Sequence, residues 1–359
     1  MAVQISGKGS QIWADPAIEN AKIENSAEII GFEEEIANVQ AAIADFESGH
    51  KLNIAIIAEP FAGRTTLFNA VEKMNLQKVT RLSFSPGVKN KGGFSLPEQL
   101  KRIVLIDDCH FLYMRRIGGF HTLEDFLKMA ASSSNIFITA WNLYSWKYLD
   151  EVINIGRYFP VQINLPKFST GEIKECILSR YKPDEIKFIE DEYEKEKSIE
   201  IVRYPVAIKP LKKPIDIPFF KINYDALNLR LFKKEEKIAV EDVVFEKITR
   251  ISNGNPGVAK IIWQRSLEYP VIKPNKIKEV SFNIDLDYNG SFILSVILST
   301  GTIKKEELAE IAGHGCSIEE ILFRLVKQGL ISIEEGYCSI KPEALRSIVE
   351  FLKKSRLVW

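Results

Sequence analysis

Residues Asn53 to Ala70 read NIAIIAEPFAGRTTLFNA. The run Ile54-Ala55-Ile56-Ile57 is short and wholly apolar, as a strand buried on both faces requires. Ala58-Glu59-Pro60-Phe61-Ala62-Gly63 is turn-rich, and Arg64-Thr65-Thr66-Leu67-Phe68 opens a helix with hydroxyls in its first turn. Strand, loop and hydroxyl-headed helix in this order gather free backbone N–H groups and the positive end of a helix dipole at one point. That suits an anion.

Set against the phosphate-loop consensus GxxxxGK[ST], Gly63 and Thr65 fit, whereas Ala58 replaces glycine and Arg64 replaces lysine. Arginine keeps the positive charge but spreads it over a longer, planar fork. On this reading Ala58 to Thr66 cradle phosphate, the Thr65 hydroxyl faces Mg²⁺, and Arg64 faces the terminal phosphates.

The chain has 359 residues, enough for two or three domains. Lys+Arg and Asp+Glu each total 48, so no global basic field draws nucleic acid, and any such contact is a local patch. Apolar residues make up 46% and charged residues 27%, a soluble globular balance with no run long enough to span a membrane. MAVQISGKGSQIW lacks the apolar core of a signal peptide, so the expected compartment is the cytoplasm, with Cys109, Cys176, Cys316 and Cys338 as reduced thiols. Cys109-His110 and His314-Gly315-Cys316 have no second ligand pair nearby and read as packing or loop residues.

Residues 78–84 (KVTRLSF) read as a second strand, and Arg102-Ile103-Val104-Leu105-Ile106-Asp107-Asp108 as a third, ending in paired carboxylates. A buried parallel strand presents such acids at its carboxyl end, where open α/β sheets bind ligands. Asp107 is placed in the Mg²⁺ shell, and Asp108 beside an attacking water. Capping of the next segment is the plainer use of the same pair. Further strands are read at residues 136–140 and 158–166, with a helix over 122–131 between strands three and four. Ser169-Thr170-Gly171-Glu172 marks a helix start, and residues 181–240 read as a charged, proline-punctuated β-rich arm.

AEPFAGRTT, IVLIDD, IFITAWN and the turn GNPG at 254–257, followed by a helical C-terminus, resemble in their order archaeal-type P-loop ATPases of the STAND/AAA+ (Orc/Cdc6-like) kind. The resemblance implies an α/β fold: a P-loop core with a parallel sheet over 28–168, behind an N-terminal arm over 1–27. A helical lid over 169–280, which includes the 181–240 arm, and a winged helix over 281–359 complete it. It also implies ATP or ADP with Mg²⁺ as ligands. Phe32, in a segment similar to "IIGREEEI", would cover the base, and Thr139 or Asn142 would stand near the γ-phosphate as sensor 1. Arg157 precedes the last core strand, where an arginine finger is often found, though a plain surface arginine fits it equally. The place of a lid arginine is taken by Gly257-Val258, with Lys260 and Arg265 further on.

In the expected winged helix the third helix carries Glu319, Glu320, Arg324 and Lys327, which repel phosphate as much as they attract it. Packing or contact with a protein, including a second copy, is therefore favoured over duplex DNA. Three functions compete: a nucleotide-dependent conformational switch with slow or absent hydrolysis, a DNA-binding initiator- or transposition-helper-like ATPase, and a non-catalytic scaffold. Thr65, Asp107 and Asp108 favour the switch over the scaffold, which needs no Mg²⁺ ligands.

Overall fold

The computed structural model describes residues 30–86, 100–191, 239–313 and 315–358, together with the backbone of 199–206 and 215–222. The expected arm at 1–27 and most of the 181–240 stretch lie outside the described residues.

Five strands make the central sheet: β1 (Ile54–Ala58), β2 (Val79–Ser83), β3 (Ile103–Asp107), β4 (Ile136–Asn142) and β5 (Val161–Asn164). All pairs are parallel, in the order β2-β3-β4-β1-β5. The α/β class and the parallel sheet expected from sequence are thus observed. β1, β3 and β4 are buried throughout. Their alternate side chains divide between two apolar layers: Ile54 and Ile56 on one face, Ala55 and Ile57 on the other. Helices α1 (Glu33–Glu47) and α2 (Arg64–Met74) cover the first face, and α3 (His121–Ser132) and α4 (Leu143–Ile153) supply Phe126 and Leu149 to the second. The last strand is shorter than its sequence pattern suggests, because residues Ile155–Tyr158 form a 3₁₀ turn before it.

Register fixes what meets at the carboxyl edge. Ala58 pairs with Asn142, and Ser83 with Asp107. The phosphate loop, the paired acids and the candidate sensor therefore share one rim of the sheet, beside β1, where the strand order switches direction.

Beyond the core, α5 (Thr170–Leu178) opens on a capping box in which Ser169 and Glu172 exchange hydrogen bonds. A two-residue strand β6 (Lys187–Phe188) and an antiparallel ribbon, β7 (Ile199–Val206) with β8 (Ile215–Ile222), follow. Helices α6 (Val240–Ser252) and α7 (Pro256–Ser266) then pack on α5 through Phe245 and Trp263, whose rings stack at 5.3 Å. β9 (Val271–Ile272) pairs with β6. The C-terminal segment comprises α8 (Tyr288–Thr300), β10 (Thr302–Lys304), α9 (Lys305–Ala312), α10 (Ile318–Lys327), β11 (Ile331–Glu334), β12 (Tyr337–Ile340) and α11 (Leu345–Lys354). Its sheet runs β10-β12-β11, antiparallel. α8 is its axis: Ile293, Leu294, Val296, Ile297 and Leu298 are all buried. Among the described residues no helix is long and apolar enough to cross a membrane.

The turn between α6 and α7 clasps the phosphate loop. Asn255 accepts from the Val258 N–H with its Oδ1, capping α7, and donates from Nδ2 to the Pro60 carbonyl at 2.8 Å. The Gly257 N–H donates to the Phe61 carbonyl at 3.1 Å. A Cβ at Gly257 would stand 2.4 Å from that carbonyl, so the close approach requires glycine. Asn255→Ala removes a cap and leaves the buried Pro60 carbonyl without its donor. Chemical denaturation is expected to register a loss of about 1–3 kcal/mol, and an unchanged midpoint would mean that the clasp contributes nothing.

Candidate functional site

β1 delivers the chain to the loop at Ala58, and the loop then needs two left-handed residues, Phe61 at φ 66° and Gly63 at φ 94°. Gly63 has a second reason to lack a side chain: a Cβ there would stand 2.9 Å from the Phe32 ring. Gly63 is the N-cap of α2 and offers no side-chain cap, and the first turn carries no acid. The first backbone N–H groups of α2 therefore have no partner within the helix, at its positive dipole end. The hydroxyl-bearing residues Thr65 and Thr66 are exposed beside them.

Arg64 does not point away from the acids. One guanidinium nitrogen lies 3.5 Å from an Asp108 carboxylate oxygen and the other 3.3 Å from Nδ1 of His110. A guanidinium only donates, so Nδ1 accepts and Nε2 carries the imidazole proton. The His110 ring also hydrogen-bonds the backbone of Thr300, at the end of α8. Burial, then the charge of Arg64, holds the imidazole well below its ordinary range, so His110 is neutral. Arg64 is thus a fork closed on two partners, which a lysine at that position could not bridge.

Asp107 is 3% exposed, and both its oxygens have partners. Oδ1 accepts the Asp108 N–H at 2.9 Å, and Oδ2 accepts the Thr65 hydroxyl at 3.2 Å and Arg81 at 3.3 Å. Thr65 and Asp107 together form the small hard-oxygen set that Mg²⁺ takes alongside phosphate oxygens and water, so the donor chemistry fits that ion. Asp108 stands at φ 56°, turned out of the strand. Burial pushes its carboxyl up to about 6, against the opposing pull of Arg64 and with the help of Asp107.

The remaining candidates separate. Thr139 is wholly buried, donates to the Ile54 carbonyl at 3.0 Å and accepts from the Trp141 indole at 2.7 Å. It is an internal sheet residue, not a sensor, because its hydroxyl is committed on both sides. Asn142 reaches the rim, but its Oδ1 caps α4 at Tyr144 and its Nδ2 donates to the Leu298 carbonyl at 2.8 Å. Ser145 donates to the next carbonyl, that of Ser299, at 2.6 Å. Asn142, Ser145 and His110 therefore hold three consecutive residues at the C-terminal end of α8. Phe32 is 3% exposed and packs edge-on to Phe168 at 5.1 Å, so its ring is already part of the wall beside Gly63. Glu59 accepts from Tyr144 at 3.5 Å, while Pro60 and Ala62 are buried in the loop. Arg157 is exposed and bonds its neighbour Tyr158, and Arg265 pairs with Glu343.

Reading the sequence missed Arg81, His110 and Ser145. Arg81 carried a weak signal, a cation inside a short strand beside the acid-bearing one. His110 and Ser145 carried none, since the α8 carbonyls they hold lie more than 150 residues away.

No family model and no curated protein matches the chain. Solved structures match it over most of its length at low identity. The RuvB Holliday junction branch migration motor of Thermotoga maritima is 14% identical, with 89% of this chain and 95% of that one covered and a TM-score of 0.39. The Aeropyrum pernix ORC2 protein, in ADPNP–ADP complexes, is 10% identical, with 93% and 97% covered at 0.42. Cdc6p of Pyrobaculum aerophilum is 12% identical, with 96% and 99% covered at 0.42. The α/β fold of this chain is described by its own strand order, loop and rim acids.

The raised Asp108 carboxyl has a consequence for stability. An acid whose folded value lies above its unfolded one opposes folding once ionised, so its cost is absent at low pH and grows as pH rises through about 6. Asp108→Asn is therefore expected to melt higher than the parent at pH 8 and to lose that advantage by about pH 4, near the ordinary carboxylate value. An advantage of the same size at both pH values would show that burial of the charge is not its source.

Proposed function

We propose that the protein is a nucleotide-dependent conformational switch that binds ATP or ADP at the P-loop and hydrolyses ATP slowly. The observation that carries this reading is the docking of α8. Its terminal carbonyls are partial negative charges, and they lie on Asn142, Ser145 and His110, at the rim where the terminal phosphates of a nucleotide would arrive. Helix end and γ-phosphate therefore compete for the same donors, Asn142 directly and Arg64 through His110. A ligand that binds one of two arrangements better shifts the balance toward it, and the coupling is reciprocal.

In this reading Ala58 to Thr66 hold the phosphates, Phe32 borders the base, and Thr65 with Asp107 holds Mg²⁺, which would offset phosphate charge. Asp108, half ionised near pH 6, is suited to accept a proton from water. Arg64 is tied to Asp108 and His110, so charge on a transferring phosphoryl group is poorly stabilised. The C-terminal segment is read as a winged helix that contacts protein. Arg324 of α10 is tied to Asp287 at 3.1 Å, while Phe323 is 67% exposed. The exposed residues left to a partner, Glu319, Glu320, Phe323 and Lys327, are apolar and of both signs, which disfavours DNA.

Calorimetry with Mg·ATP and Mg·ADP is expected to show binding of both, and no heat from either would end the nucleotide reading. With ATP bound, amide exchange at the end of α8 is expected to quicken, and with ADP to stay near the free rate. Ser145→Ala, which removes one docking hydrogen bond worth about 1 kcal/mol, is expected to tighten ATP about fivefold. Heat without any change in exchange would leave a nucleotide-binding protein but no switch.

Turnover is expected to be slow, raised by Arg64→Lys and abolished by Asp108→Asn in a phosphate-release assay. Brisk activity that collapses in Arg64→Lys would mean that the loop is built around arginine as a catalytic group.

A further inference from the structure

Arg81 has no role in the site as derived so far, yet it is held as firmly as any residue there. It leaves β2 toward α2, with a side chain only 16% exposed. One guanidinium nitrogen bonds Glu72 at 3.1 Å and also Asn69, and the guanidinium lies over the Phe68 ring at 5.8 Å. These contacts from α2 aim the other nitrogen at Asp107 Oδ2, 3.3 Å away. That oxygen is the one the Thr65 hydroxyl also touches, at 3.2 Å. A fixed cation therefore stands against the carboxylate assigned to the metal shell, and a second, Arg64, faces the neighbouring Asp108 at 3.5 Å.

We infer that Arg81 is a built-in counter-charge for Asp107, so that the site binds nucleotide almost as well without Mg²⁺ as with it. This rests on the nucleotide reading given above. The donor set of Thr65 and Asp107 still accommodates the ion, but a divalent cation entering there meets the guanidinium as a like charge and finds its carboxylate already paired with an arginine that Glu72 shares. Phosphate charge that Mg²⁺ would offset is met instead by the free N–H groups and the positive dipole end at the N-terminus of α2. Arg81 is in this sense a specificity-determining residue: it sets how far binding depends on the ion, without touching the nucleotide.

The test is equilibrium binding of ATP and of ADP to the full chain, by calorimetry, in excess EDTA and in excess Mg²⁺. The parent protein is expected to differ by no more than about threefold between the two conditions, because the ion gains little from a paired carboxylate. Arg81→Gln keeps hydrogen-bonding capacity and removes the charge. It is expected to bind ATP at least about tenfold more tightly with Mg²⁺ than without, since the freed carboxylate then serves the ion. Arg81→Lys, which retains a charge beside Asp107, is expected to behave like the parent, and its melting curve guards against misfolding as the cause. A parent protein that loses binding tenfold or more in EDTA overturns the inference while leaving nucleotide binding intact. So does an Arg81→Gln protein whose response to Mg²⁺ equals the parent's. Absence of heat in both conditions overturns this inference and the nucleotide reading together.

Discussion

An α-helix ends with carbonyls that have no partner inside it, and a helix end buried against another part of the protein must find donors there. α8 ends in such a place. Its last carbonyls meet the amide of Asn142, the hydroxyl of Ser145 and the ring of His110, all contributed by the α/β core. Much else follows from that constraint. His110 must keep its proton on Nε2, so Nδ1 is free to accept from Arg64, and Arg64 is drawn toward Asp108. Asn142 serves α4 with its oxygen and α8 with its nitrogen. The C-terminal segment is thus seated by the residues that line the rim of the sheet.

The rim is also balanced in charge. Burial resists ionisation of Asp108 and the neighbouring Asp107 charge adds to it, which the raised Asp108 carboxyl records. Arg64 faces Asp108 from the start of α2, and Arg81 of β2 is shared between Asp107 and Glu72. The two arginines differ in how they are held. Arg64 is anchored by groups that depend on the seating of α8, whereas Arg81 is anchored by Glu72 and Asn69 of α2 and by Asp107 of β3. Rearrangement of the C-terminal segment would therefore disturb one charge pair and leave the other in place.

Much of this fold was legible in the sequence because its signals are local. IAIIA and IVLID are continuous apolar runs, and a strand in the middle of a parallel sheet must be apolar on both faces. Gly63 was legible for the same kind of reason, since a left-handed turn before a helix leaves few alternatives. The site was legible only in part. Thr139 looked like a sensor because a polar residue near the end of a strand usually faces the ligand edge, yet its hydroxyl is taken by the Ile54 carbonyl and the Trp141 indole. Arg64 looked like a substitute for lysine, and only the fold reveals the imidazole and carboxylate between which its fork sits. Gly257 occupies a position where an arginine was sought, and the reason for its absence is the Phe61 carbonyl pressed against it. Contacts of that kind join residues nearly two hundred positions apart and leave no periodic trace in the chain.

The clasp between the α6–α7 turn and the loop after β1 is made of an uncharged amide, a backbone N–H and two backbone carbonyls. Dissolved salt screens charges separated by more than about 8–10 Å of water, but it does little to short hydrogen bonds between neutral, buried groups. The attachment of that turn to the loop after β1 should therefore keep its strength across a wide range of ionic strength. The surface ion pairs around it, such as Lys174 with Glu241 and Asp242, will fade as salt rises. The link between the α6–α7 turn and the loop after β1 is thus carried by neutral hydrogen bonds that salt leaves largely intact, while the outer ion pairs between α5 and α6 respond to it.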